Sequence, residues 1–138
     1  MKVKELDKIA YDNLNARQKE TYNFQKVSAI LADYGFATIK LNDDWANADF
    51  IAQHIDGEVY LKVQLKGRMT FDKKYIGKSL YICFPYKNHW YLYSHDELLE
   101  KVIQTGILFG TTSWDTKGLY HFPSISLNLQ EMLREWRL

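Results

Sequence analysis

Three polar residues near the middle of the chain, Asp49, Gln64 and Lys66, have the types and spacing to do chemistry. Over residues 58–66, Val59, Leu61, Val63 and Leu65 alternate with Tyr60, Lys62, Gln64 and Lys66. Successive side chains of a strand point to opposite faces, so this alternation predicts a strand with one apolar face. It sets the Gln64 amide and the Lys66 ammonium together on the other face. Asp49 belongs to a second extended run, 48–55, joined to the first through the turn pair Asp56-Gly57. Carboxylate and amide oxygens beside an ammonium suit a cation and an anionic substrate held side by side. The same alternation also suits a half-exposed sheet whose polar face is simply solvated.

The elements that must position these residues follow from periodicity. From about Ala16, Phe24, Val27, Leu31 and Tyr34 recur at helical spacing, with Ile30 widening the stripe, and Gly35 supplies a C-terminal stop. Residues 36–41 read as a first strand, Asn42-Asp43-Asp44 as a polar turn beside an unassigned Trp45, and 48–55 and 58–65 as the second and third strands. Residues 67–78 read as a basic loop carrying Arg68, Lys73, Lys74 and Lys78. Two further strands are predicted at 80–85 and 90–93, with Trp90, Tyr91 and Tyr93 available to an interface. Ser94 with Glu97 reads as the cap of a second helix, 119–122 as a short strand, and Asn128 with Glu131 as the cap of a last helix. The first fifteen residues read as an arm, and residues 1–138 as one domain of mixed α+β class with a central sheet.

Composition narrows the function classes. A formal net charge of +1 means that any nucleic-acid binding must come from basic residues gathered on one face. The lone Cys83 excludes an internal disulfide and a cysteine-based zinc cluster, and it sits in an apolar run as a buried thiol would. Four scattered His residues show no HExxH spacing, and His89, His95 and His121 read as turn, cap and strand residues. The charged start, Met1–Glu5, and the lack of any long apolar stretch predict a cytoplasmic protein without a membrane span.

Taken together, a helix stopped by Gly35, a strand with Asp49 in Ala48-Asp49-Phe50-Ile51-Ala52, a turn, and Val63-Gln64-Leu65-Lys66-Gly67-Arg68 resemble the core of the PD-(D/E)XK nucleases. The Gln-x-Lys-Gly-Arg form is similar to that of the homing endonucleases associated with group I introns. The resemblance implies a restriction-endonuclease-like fold, a central mixed sheet flanked by helices. It implies a Mg²⁺ (or Mn²⁺) ion held by Asp49, Gln64 and the Leu65 carbonyl, with Lys66 supporting the attacking water or the transition state. On the first helix, Glu20 and Asn23 compete for an additional ligand position. Arg68, Lys73 and Lys74 follow as contacts to the DNA backbone, or as an ordinary solvated loop, with Lys40 and Lys62 as weaker candidates. DNA, duplex or branched, is the implied partner and a homo-oligomer the implied assembly. Gln64 stands where an acid is usual and leaves the site one negative charge short, so the rival reading is an inactive nuclease-fold domain that binds nucleic acid or a protein.

Overall fold

The computed structural model describes every residue except Ala46, and the side chains of Asp43, Asp44 and Trp45 also lie outside the description. Asn42, Asp43 and Asp44 do not form the expected turn, because the first strand, Phe36–Trp45, runs through them. Helix α1 spans Ala16–Asp33. Its start is a reciprocal cap: Asn15 Oδ1 accepts from the Gln18 N–H and Gln18 Oε1 from the Asn15 N–H, both at 2.9 Å. Gly35 turns the chain at φ +84°, a conformation costly for any residue with a Cβ.

Strands β1 (Phe36–Trp45), β2 (Ala48–His54) and β3 (Tyr60–Leu65) then form an antiparallel meander. The β2–β3 turn is secured by Asp56, whose Oδ1 accepts from the Glu58 and Val59 N–H groups at 2.8 and 3.2 Å. Strand β5 (Leu80–Tyr86) pairs parallel to β3, and β6 (His89–Ser94) pairs antiparallel to β5 through a turn at Lys87 and Asn88, both at positive φ. The order β1-β2-β3-β5-β6 makes a five-stranded mixed sheet. Helices α2 (His95–Gln104) and α3 (Leu127–Leu133) complete an α+β fold.

Apolar alternation divides the core between the two faces of the sheet. Val27 and Leu31 of α1 pack on Phe50, Ala52, Val63 and Cys83. On the opposite face, Leu80, Ile82 and Phe84 of β5 meet Leu98 and Val102 of α2 and Leu129 and Leu133 of α3. Every member of both sets is essentially water-free, and burying one such side chain contributes about 1.5–3 kcal/mol.

Four further expectations are corrected. Residues 67–78 are not simply a loop: β4 (Thr70–Asp72) pairs antiparallel with β7 (Leu119–His121), and Met69, Phe71 and Tyr75 are core residues. The partner strand lies about fifty residues away, beyond the reach of any local pattern. Tyr93 is fully buried and so cannot serve an interface, whereas Trp90 and Tyr91 are half-buried. Tyr34 is half-exposed, because the helix ends at Asp33 before it can turn inward. The last helix starts at Leu127 under a Ser126 cap, two residues ahead of Asn128. Both types cap well, and the burial of Leu129 and Leu133 selects the earlier one.

Candidate metal and phosphate site

Strands β2 and β3 run in register only as far as the Phe50–Val63 pair. The next residues, Asp49 and Gln64, lie just past the last rung. There the Leu65 N–H donates not to a strand carbonyl but to Asp49 Oδ2, at 2.8 Å. The carboxylate is thereby fixed to the backbone between Gln64 and Lys66. On the other side of β3 the ladder continues, with the Lys66 N–H donating to the Cys83 carbonyl at 2.9 Å. The segment carrying Gln64 and Lys66 is thus held from both flanks.

Val63 and Leu65 point into the α1 core, so Gln64 points to the opposite face. Its Oε1 is buried and has no hydrogen-bond partner; among the described residues only Trp136 Nε1 shares that condition. A buried, unsatisfied amide oxygen costs about 1–3 kcal/mol. Lys66 is half-buried, with Nζ 5.8 Å from the centroid of the Tyr75 ring.

Asp49 opens onto a cleft of about 350 Å³ between α1 and the ends of the first three strands. Arg17, Glu20, Thr21 and Phe24 line it from α1, Lys40 and Asn42 from β1, and Leu65 from β3. Glu20 and Phe24 are one helical turn apart, so the Phe24 ring that packs edge-on to Phe50 at 5.2 Å sets the rotation that aims Glu20 at the cleft. Asn23 falls on another face, where its Nδ2 donates to the Tyr11 hydroxyl at 2.9 Å. Of the two first-helix candidates, only Glu20 shares the cleft with Asp49.

The basic residues that follow β3 differ in their surroundings. Arg68 is exposed. Lys73 lies over the Trp114 ring at 5.1 Å, against Gly118, where an added Cβ would come within 3.1 Å of its side chain. Lys74 stands 3.8 Å from Asp72 Oδ2 and over Tyr75. Lys74 thus has its contacts within its own segment and Lys73 against residues 114–118, while both residues remain exposed.

Several polar residues that carry this region were not distinguishable as such in the sequence. The Tyr93 hydroxyl donates to the Thr70 carbonyl and accepts from the Thr70 N–H at 2.9 Å, and burial pushes its pKa up. His95 Nε2 accepts from the Asp72 N–H at 3.1 Å, while its Nδ1 faces Asp96 Oδ1 at 2.9 Å. A ring nitrogen that accepts carries no proton, so the other must donate to Asp96. Burial holds His95 below its ordinary value, with Asp96 and Asp72 opposing the shift. His121 Nδ1 lies 2.7 Å from Thr70 Oγ1, and Thr70 Oγ1 in turn donates to the Arg68 carbonyl at 2.9 Å.

Among the described residues no group of three or more His, Cys, Asp and Glu is arranged to hold a metal ion, and no helix is long and apolar enough to cross a membrane. An amide oxygen or a main-chain carbonyl falls outside such a count. No family model matches the chain, and no curated protein matches it. Among solved structures it is similar to Hjc, a Holliday junction resolvase from the archaeal hyperthermophile Archaeoglobus fulgidus, at 13% identity. That likeness covers 54% of this chain and 76% of the resolvase, with a TM-score of 0.43.

Proposed function

We propose that the chain is a nuclease-fold domain of the PD-(D/E)XK type, acting as a Mg²⁺- or Mn²⁺-dependent DNA endonuclease. The observation that carries this reading is the Asp49 carboxylate locked to the Leu65 N–H where β2 and β3 part, together with the partnerless buried oxygen of Gln64, one residue earlier on β3. The donor set fits a hard divalent cation, which takes oxygen ligands and keeps several waters, so that few protein ligands suffice. Asp49 and Gln64 would hold the ion, with the Leu65 carbonyl as a third oxygen. Glu20, in the same cleft, returns the negative charge that Gln64 forgoes.

When bound, such an ion lowers the pKa of water and offsets charge developing on a phosphate. The chain's own residues do the rest. The Asp49–Leu65 bond orients the carboxylate before any substrate arrives, so no reorganisation is needed later. Lys66, half-buried and with its main chain fastened to Cys83, brings a positive charge to the phosphate oxygens. Arg68, Lys73 and Lys74 contact flanking phosphates, which set the register of a duplex without reading its sequence. A domain with one such site cuts one strand, so cutting both calls for a second copy, most simply in closed symmetry.

Nicking of supercoiled plasmid DNA in Mg²⁺ or Mn²⁺ tests the reading. Activity is expected in the wild type and its loss in Asp49→Ala and Lys66→Ala, with unchanged circular dichroism. Cutting that persists in both variants would contradict it. The second reading, an inactive domain that binds DNA or a protein, draws on the missing acid at position 64 and the net charge of +1. It predicts salt-dependent DNA retention, or none, together with no metal-dependent nicking.

A further inference from the structure

His121 has a feature that the nuclease reading does not use. It lies on β7 opposite Thr70 of β4, and the hydrogen bonds at that rung define its protonation. The Arg68 carbonyl can only accept, so the Thr70 hydroxyl proton goes to it. Thr70 Oγ1 must then accept from His121, so Nδ1 carries the ring proton and Nε2 of the neutral ring has a lone pair. The neighbouring Phe122 N–H donates to the Met69 carbonyl at 2.9 Å, which holds β7 against the segment that leads out of Lys66. The half-buried ring is therefore fixed in position and tautomer beside the same stretch of chain that carries Lys66 and Arg68.

The charges around the ring are of mixed sign but mostly positive. Burial, then Lys66 and then Arg68 push the His121 pKa down, and Asp72 alone among the charged neighbours pulls it up. Burial and two cations thus favour the neutral ring in the free protein. An anion placed among the three groups removes that repulsion and favours the charged ring.

We propose that Lys66, Arg68 and His121 form one phosphate-binding cluster, in which His121 gains a proton as a phosphodiester enters. This rests on the nucleic-acid reading above and adds to it a proton-linked contact. Binding then tightens as pH falls, because the complex holds one proton more than the free protein and phosphate do.

The test is the His121 ring titration by NMR, free, with a 16-base-pair duplex in EDTA, and separately with inorganic sulfate, whose charge is constant across the range. The expected result is a rise of the His121 pKa by about one pH unit with either anion. Duplex affinity should then be about tenfold tighter at pH 5.5 than at pH 8, the ratio that one pKa unit represents. His121→Gln should flatten most of that dependence. A duplex that binds and leaves the His121 titration unmoved overturns the cluster but spares the nucleic-acid reading. If no duplex binds, the nucleic-acid reading fails and sulfate decides the cluster, an unmoved His121 again overturning it.

Discussion

Two regions of the molecule treat their buried polar groups in opposite ways. Around β4, Tyr93 serves both the N–H and the carbonyl of Thr70, His95 joins the Asp72 N–H to Asp96, and Asp96 Oδ2 accepts from the Gly77 N–H at 2.9 Å. Each of those groups has its partner. At the ends of β2 and β3, the Gln64 amide oxygen is equally removed from water and has none. Folded chains satisfy the great majority of their buried polar atoms, so an unpaired oxygen here is what the proposed cation site would leave in the free protein. The region around β4 works as a structural frame, and the region around Asp49 is the site we propose.

The largest effect expected from this contrast is on activity. Asp49→Ala should lower metal-dependent nicking by more than about a hundredfold while shifting the urea midpoint little, because the lost bond lies at a strand end beside the cleft. Next is Tyr93→Phe, which strands both the N–H and the carbonyl of Thr70 and should cost about 2–4 kcal/mol in urea denaturation. His95→Leu, which orphans the Asp72 N–H, should cost about 1–3 kcal/mol in the same measurement. A frame residue that could be replaced without loss of stability would break the contrast.

Gln64→Met should run the other way. It removes an amide that forms no bond through its oxygen, so stability should be unchanged or rise by up to about 1 kcal/mol. A large loss would return Gln64 to the structural side. The smallest effect is the pH dependence of folding. His95 is held below its ordinary value of 6.5 in the fold, so below that pH the unfolded chain binds the extra proton and the folded one resists it. Stability should therefore be complete above about pH 6.5, fall as pH drops through that value, and level off below the folded pKa. Chemical denaturation at pH 7.5 and 5.5 measures this, and His95→Leu should reduce the slope.

What was legible in the sequence was whatever depends on near neighbours. The period-two run at 58–66 set Gln64 and Lys66 on one face, and Gly35 marked the end of α1, because both signals are local. The choice between Glu20 and Asn23 was not legible. It depends on the rotation of α1 over the sheet, set by the packing of Phe24 on Phe50 and of Val27 and Leu31 on Val63. Nor was the frame. Thr70, Asp72, Tyr93, His95 and His121 are unremarkable residue types whose partners lie 23 to 51 positions away. A histidine at a helix start reads as a cap residue until the strand that it anchors is known to pass beneath it.

The account depends on Asp49 and Gln64 holding one cation, and Mn²⁺ binding followed by electron paramagnetic resonance tests this without any substrate. One site is expected in the wild type, tighter in Gln64→Glu, where a full negative charge is added, and absent in Asp49→Ala. Binding of equal strength in all three proteins, or none in Gln64→Glu, would contradict it.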